Sequence, residues 1–349
     1  MKAVKTERIL QYLKELVELP SPSGMTDEVM DYIQKRVAEM GYQSRRTNKG
    51  NVIITIEGRE QSRHRVVTAH VDTLGAIVKA IKADGRLKLD KIGGFPWNMV
   101  EGENCLIHPA GGGEPISGTI LLHQTSCHVY REAGTLERSQ DNIEVRLDER
   151  VTTADETEAL GISVGDFVSF DPRFTVTPTG FVKSRFLDDK ASMAILLDVL
   201  QSLKEEDISL PCTTHVMASC LEEVGMGANS SLPAEIAEYL SVDMGAIGDD
   251  QQTDEYTVSI CAKDSSGPYH YALRRHLTAL AKDNAIPYRV DLYPYYGSDA
   301  SGAMRAGAEA KHGLIGAGIE SSHSYERTHV DSLQAARALV EAYLCSQLL

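Results

Sequence analysis

The chain has 349 residues, 42% hydrophobic and 24% charged, which is the composition of an ordinary soluble globular protein long enough for a large core and, by length, two domains. Its formal net charge of -15 argues against nucleic acid or an anionic membrane as a partner. No uninterrupted apolar stretch is long enough to cross a bilayer as a helix.

Taken in chain order, apolar spacing predicts helices over 7–19 and 26–41, separated by the breaker loop Pro20-Ser21-Pro22-Ser23-Gly24. Thr26 is the expected N-cap of the second helix, with Asp27 and Glu28 in its first turn. Residues 51–56 and 65–69 read as short strands, the second delivering His70 to its carboxyl end. From about 75 to 175 the character changes. Glycine-rich turns separate short strands at 117–123, 143–147 and 166–170, and helical periodicity is weak, so 76–175 reads as an inserted β domain. An α/β rhythm then resumes: helix 189–204, strands 213–219, 239–243 and 256–262, helix 268–284, strand 288–292 and helix 331–346. The expected architecture is therefore a mixed-sheet α/β catalytic domain formed by 1–75 and 176–349, interrupted by a small all-β domain.

The N-terminal Met1–Arg8 lacks a run of signal-peptide type, and the six cysteines are scattered without a Cys-x-x-Cys pair. Both features point to a cytoplasmic protein with reduced thiols. Any metal should then be held by imidazoles and carboxylates.

Five short elements carry such groups at expected strand ends or loops: His70-Val71-Asp72, Asp188-Asp189, Glu222-Glu223, Asp243 and His323. Each has a plainer reading. His70 and Asp72 could be a surface pair, and Asp188-Asp189 an N-cap with a first-turn acid. Glu222-Glu223 could be a solvated turn, and Asp243 a turn former. Together, however, they supply the oxygen and nitrogen donors that two neighbouring divalent ions need, with a carboxylate to spare as a base. His329 lies six residues past His323, so the residues alone leave the last donor open between the two.

The ordered set resembles the glutamyl-aminopeptidase and tetrahedral-aminopeptidase family of dinuclear zinc or cobalt exopeptidases. The likeness runs through Ala69-His70-Val71-Asp72, Leu187-Asp188-Asp189-Lys190, Glu222-Glu223-Val224-Gly225, Val242-Asp243-Met244-Gly245 and Gly297-Ser298-Asp299-Ala300. It implies a zinc-exopeptidase-like fold in which His70 and Asp243 hold one ion, Glu223 and His323 the other, and Asp188 bridges them. Glu222 would be the general base and Asp72 the support for His70. The resemblance also implies short peptide substrates and a homo-oligomer, dimer-based or dodecameric, using the β insertion for its contacts. One departure is that the family's usual Arg-aromatic-x-His-Ser-Pro element is replaced here by Ser322-His323-Ser324-Tyr325. In this the chain is similar to a bacterial subgroup associated with osmolyte dipeptides. An amide hydrolase for an N-acylated dipeptide or osmolyte would use the same ions. An endoglucanase would leave the histidines and Asp243 without roles, since glycosidases work with two carboxyls across the sugar.

Overall fold

The computed structural model describes residues 2–349. From the N-terminus, α1 (Lys2–Val17) and α2 (Asp27–Glu39) lead into β1 (Ser44–Arg46), β2 (Val52–Ile56) and β3 (Glu60–His70). Six strands follow: β4 (Gly75–Ile81), β5 (Leu87–Ile92), β6 (Asn104–His108), β7 (Ile116–Leu122), β8 (Ile143–Leu147) and β9 (Phe167–Phe170). Between the last two lies a short α3 (Ala154–Ala159). Next come β10 (Thr175–Val176), β11 (Phe181–Ser184), α4 (Leu187–Glu205), β12 (Cys212–Ser219), β13 (Ile236–Ala246), β14 (Val258–Asp264) and β15 (Gly267–Pro268). The chain finishes with α5 (Tyr271–Asp283), β16 (Tyr288–Leu292), α6 (Asp299–Arg305), β17 (Lys311–Ile319), β18 (Glu326–His329) and α7 (Val330–Leu344). Two units result. One contains the chain up to Asp72 together with Arg173–Leu349; the other is Thr73–Pro172.

In the first unit the sheet order is β1-β2-β12-β3-β13-β17-β14-β15, with β16 beside β14. Its four central strands, β12, β3, β13 and β17, are mutually parallel. Side chains alternate between the two faces, as the pleat requires. Val67, Ala69, Val216, Ala218, Leu240, Val242, Ile315 and Ala317 join the core formed with α1, α2, α4, α5 and α7. Val66, Met217, Tyr239 and Leu314 join a smaller core on the other side, with Ala300 and Ala303 of α6. Helix α4 is buried over nearly its whole length, and its buried Asp198 is met by Arg8 and Arg337. Glycine is required in β17 at Gly316, where a Cβ would come within 2.0 Å of the Asp243 carbonyl oxygen.

The second unit is a closed antiparallel barrel in the order β4-β5-β8-β7-β6-β9. Closure leaves no exposed sheet edge in the barrel. Val78, Leu87, Leu89, Ile107, Ile120, Val145 and Val168 are all buried in this unit. Short helix α3 and a 3-10 turn at Trp97–Met99 depart from an all-strand reading. Thr153 caps α3, accepting from the Glu156 N–H in a capping box. Thr26 does not cap α2 as expected. It stands at the N-cap position with φ -118° and ψ 7°, away from the extended backbone that turns a cap oxygen onto the first turn, and makes no side-chain cap bond.

Candidate metal centre

All the candidate residues but Asp188 lie at, or just beyond, the carboxyl ends of the four parallel strands, where open α/β sheets place their sites. β3 ends on His70; β12 ends at Ser219, followed by Glu222-Glu223; Asp243 is near the end of β13; and β17 runs into the loop that carries His323. Asp188 enters from the start of α4, where the Asp188–Asp189 peptide is cis and both residues have non-helical backbone angles.

Asp188 stands between the two histidines. Its Oδ1 is 3.1 Å from His70 Nε2, and its Oδ2 is 3.5 Å from His323 Nε2. His323 Nε2 is also 3.5 Å from Glu223 Oε2, and His70 Nε2 is 3.8 Å from Glu222 Oε2. His70, Asp188 and Asp243 each present one donor atom within 4.8 Å of the others. His329 is elsewhere. Its Nε2 donates to the Thr179 carbonyl, its Nδ1 accepts the Asp331 N–H at the start of α7, and its ring packs on Phe181 and Tyr256.

Supporting bonds hold these groups. Asp72 accepts Ser23 Oγ–H at 2.6 Å and the backbone N–H groups of Glu222 and Glu223 at 3.0 and 3.2 Å. His70 Nδ1 meets the Asp72 carbonyl oxygen at 3.0 Å, closer than the 3.7 Å to the Asp72 carboxylate. Asp72 thus orients His70 through its main chain and the glutamate pair through its side chain. The His70 N–H donates to Asp189 Oδ2, and Ser192 Oγ–H to the Asp243 carbonyl.

Glu326, which motif reasoning missed, is buried and accepts the N–H of Asp188 on one oxygen and that of His323 on the other, both at 3.1 Å. It ties two distant segments of the site together. Sequence offered only an acid three residues past a histidine, which is common in loops. Tyr296 was also missed; its hydroxyl donates to the Met244 carbonyl at 3.3 Å.

The electrostatics are those of too many acids sharing one dry place. Burial raises the Glu223 carboxyl to about 8, with Asp188 adding and His323 opposing. Burial and Asp188 bring Asp243 to about 7. Glu222 is driven well above the usual range by burial, helped by Asp243 and Asp299. Asp188 is the exception. Burial works to raise it, but the His323 and His70 imidazoles hold it well below the ordinary range. Carboxylates outnumber imidazoles, and among the described residues none of these acids has a Lys or Arg partner, so bound cations are the natural complement to the cluster. The donors are imidazole nitrogen and carboxylate oxygen, the set that suits zinc and similar divalent ions. The residues fit a metal.

Beside the cluster lies a cavity of about 500 Å³, lined by Glu222, Asp243, Met244, Tyr293, Tyr296, Asp299 and Arg305 among others. That size suits a small molecule or the end of a peptide.

Comparison with known proteins decides the family: residues 50–339 match the M42 glutamyl aminopeptidase model. The chain belongs to that family. This M42 chain is 57% identical over 339 residues to YhfE of Bacillus subtilis (strain 168), a protein provisionally named an aminopeptidase, covering 97% of this chain and 98% of that one. Its fold is similar to that of a TET aminopeptidase from a marine sediment Thaumarchaeota archaeon, with TM-score 0.88 and 21% identity over 98% of both chains. It is also similar to the TET1 peptidase of Pyrococcus horikoshii, with TM-score 0.85 and 22% identity, covering 97% of this chain and 100% of that one. The latter is described as assembling into a tetrahedron or a large octahedral shell.

Proposed function

We propose that the protein is a dinuclear metal-dependent aminopeptidase that removes N-terminal residues from short peptides. One observation carries this reading: Asp188 turns one carboxylate oxygen toward each of two imidazoles, His70 and His323, with the Glu222-Glu223 pair alongside. In this reading His70 and Asp243 would hold one ion and Glu223 and His323 the other, with Asp188 serving both. Zinc is the first choice and cobalt the second, given imidazole and carboxylate donors. When bound, the ions supply Lewis acidity to the scissile carbonyl and bring a water's pKa toward neutral.

The rest is the work of the chain. Glu222 accepts the proton of the attacking water and passes it to the leaving amine. The Asp72 carboxylate fixes the Glu222 backbone, so the base is aimed by a buried anchor rather than by a mobile turn. The Asp72 carbonyl on His70 Nδ1 leaves Nε2 facing the cluster.

The barrel of the second unit is assigned to oligomer contacts, since a catalytic unit alone has no need of about a hundred residues inserted after Asp72. The enclosed assembly described for the Pyrococcus horikoshii relative supports a homo-oligomer here. Among the described residues no helix is long and apolar enough to cross a membrane.

The test is a substrate panel on protein reconstituted with zinc or cobalt, with a chelator control. Chelator-sensitive release of nitroanilide from aminoacyl substrates is expected. Cleavage confined to N-acylated dipeptides would replace this reading with the amide-hydrolase one, and hydrolysis of carboxymethylcellulose alone would replace it with a glycosidase.

A further inference from the structure

One buried acid in the cavity wall has no part in the hydrolytic roles given above. Asp299, the first residue of α6, is 3% exposed and lines the cavity together with Glu222 and Asp243. Its Oδ1 accepts the Ala228 N–H at 2.8 Å. The Ser219 hydroxyl is a second, neutral partner, and among the described residues no Lys or Arg is paired with Asp299. A desolvated carboxylate without a cation is costly to keep.

The surroundings are shaped to admit it. A Cβ on Gly227 would come within 2.0 Å of Asp299 Oδ1 and 2.4 Å of Ser219 Oγ, so glycine at 227 is what lets the carboxylate lie against this loop. Ser298 caps α6 with its own hydroxyl, accepting the Ser301 N–H, so Asp299 is not needed for that task. The contacts with Ala228 and Ser219 are to neutral groups and leave its charge unmatched.

Resting on the aminopeptidase reading, we infer that Asp299 receives the α-ammonium group of the substrate, pairing its second oxygen with the free amino terminus inside the cavity. Such a group makes the site select chain ends. An internal peptide nitrogen has no charge to offer, and burying it against Asp299 would leave the acid unpaired. A charge-assisted bond in a dry pocket is worth roughly one to two powers of ten in affinity.

The experiment uses the metal-reconstituted full chain and Asp299→Asn, which keeps an oxygen for the Ala228 N–H and loses only the charge. Leucine amide and 4-methylpentanamide, which differ by the amino group alone, are compared as competitive inhibitors of aminoacyl-nitroanilide hydrolysis. The wild type should prefer leucine amide. In the variant that preference should fall roughly tenfold to a hundredfold through leucine amide, with 4-methylpentanamide unchanged and KM rising more than kcat falls. Metal content and melting temperature should stay at wild-type values. Should the Asn variant not fold, Asp299→Ser makes the same comparison. An unchanged preference in an active variant overturns the assignment, as does loss of metal from it. Wild-type protein inactive on every aminoacyl substrate would instead overturn the aminopeptidase reading on which this one rests.

Discussion

The carboxylate of Asp72 accepts the backbone N–H of Glu222 at 3.0 Å, joining the end of one central strand to the loop after its neighbour. Glu222 and Glu223, proposed as base and ligand, are therefore set by one buried anchor. Their separate roles can be tested within a two-residue motif. Glu222→Gln keeps size and bonding capacity but removes the proton acceptor, so turnover should fall by about 10²–10⁴ with metal content unchanged. Glu223→Gln should weaken one metal site, with activity partly restored by excess metal. If Glu222→Gln sheds metal and Glu223→Gln does not, the two roles are exchanged.

Two histidines six residues apart give a second test. His323→Ala should lose metal by elemental analysis, because its Nε2 stands 3.5 Å from both Asp188 and Glu223. His329→Ala should keep metal and lose about 1 kcal/mol of stability, because it removes the acceptor at the start of α7. Metal loss in His329→Ala alone would move the last ligand to that position.

A third test concerns the barrel. Replacing residues 76–175 with a short Gly/Ser linker should give a smaller species on sizing chromatography, with the remaining unit still folded by circular dichroism. A folded deletion variant of unchanged oligomeric size would refute the assignment of the barrel to assembly.

Stability should depend on a buried pair remote from the site. Arg65 and Glu238 are fully buried; the guanidinium bonds Glu238 and the carbonyls of Tyr343 and Leu344, and lies 4.0 Å from the Tyr343 ring centre. Arg65→Ala strands Glu238 without its cation and frees the end of α7, which should cost roughly 3–5 kcal/mol in chemical denaturation. A loss below about 1 kcal/mol would show that the pair is replaceable.

Acid should weaken the fold through His215. Burial, with His64 and Arg45 adding, lowers its imidazole from 6.5 to about 4. A depressed folded value means the unfolded chain takes up the proton first as pH falls. The stability is therefore whole above 6.5 and is lost on the way down to 4. With partial exposure discounted, the loss is on the order of 1–2 kcal/mol. His215→Gln should flatten melting temperature between pH 6.5 and 4.5. An equally steep profile in the variant would assign the acid sensitivity to other groups.

Most of the regular structure was legible because it follows local pattern. The strands at 143–147 and 288–292 fall as their alternation predicts, and helix 26–41 corresponds to α2 within two residues at either end. What stayed hidden was set by distant partners. β17, with glycines at 313, 316 and 318, has a composition that disfavours a strand. Gly316 is demanded by the neighbouring Asp243 carbonyl, which no window of sequence contains. Closure of the barrel depends on β4 meeting β9, about ninety residues apart. The candidate residues could be found because their types are chemically distinctive. Glu326 could not, since an acid acquires such a role only from what the fold brings to it.

The place of β17 in the sheet also bears on what the end of the chain contributes. This strand lies between β13 and β14, although it is made after both, and it leads directly to His323. A chain cut short before residue 311 would lack both the strand that joins β13 to β14 and the loop that carries His323. In the proposed reading the last ligand thus rides on the strand that completes the sheet, so losing this part of the chain would remove sheet continuity and a ligand together.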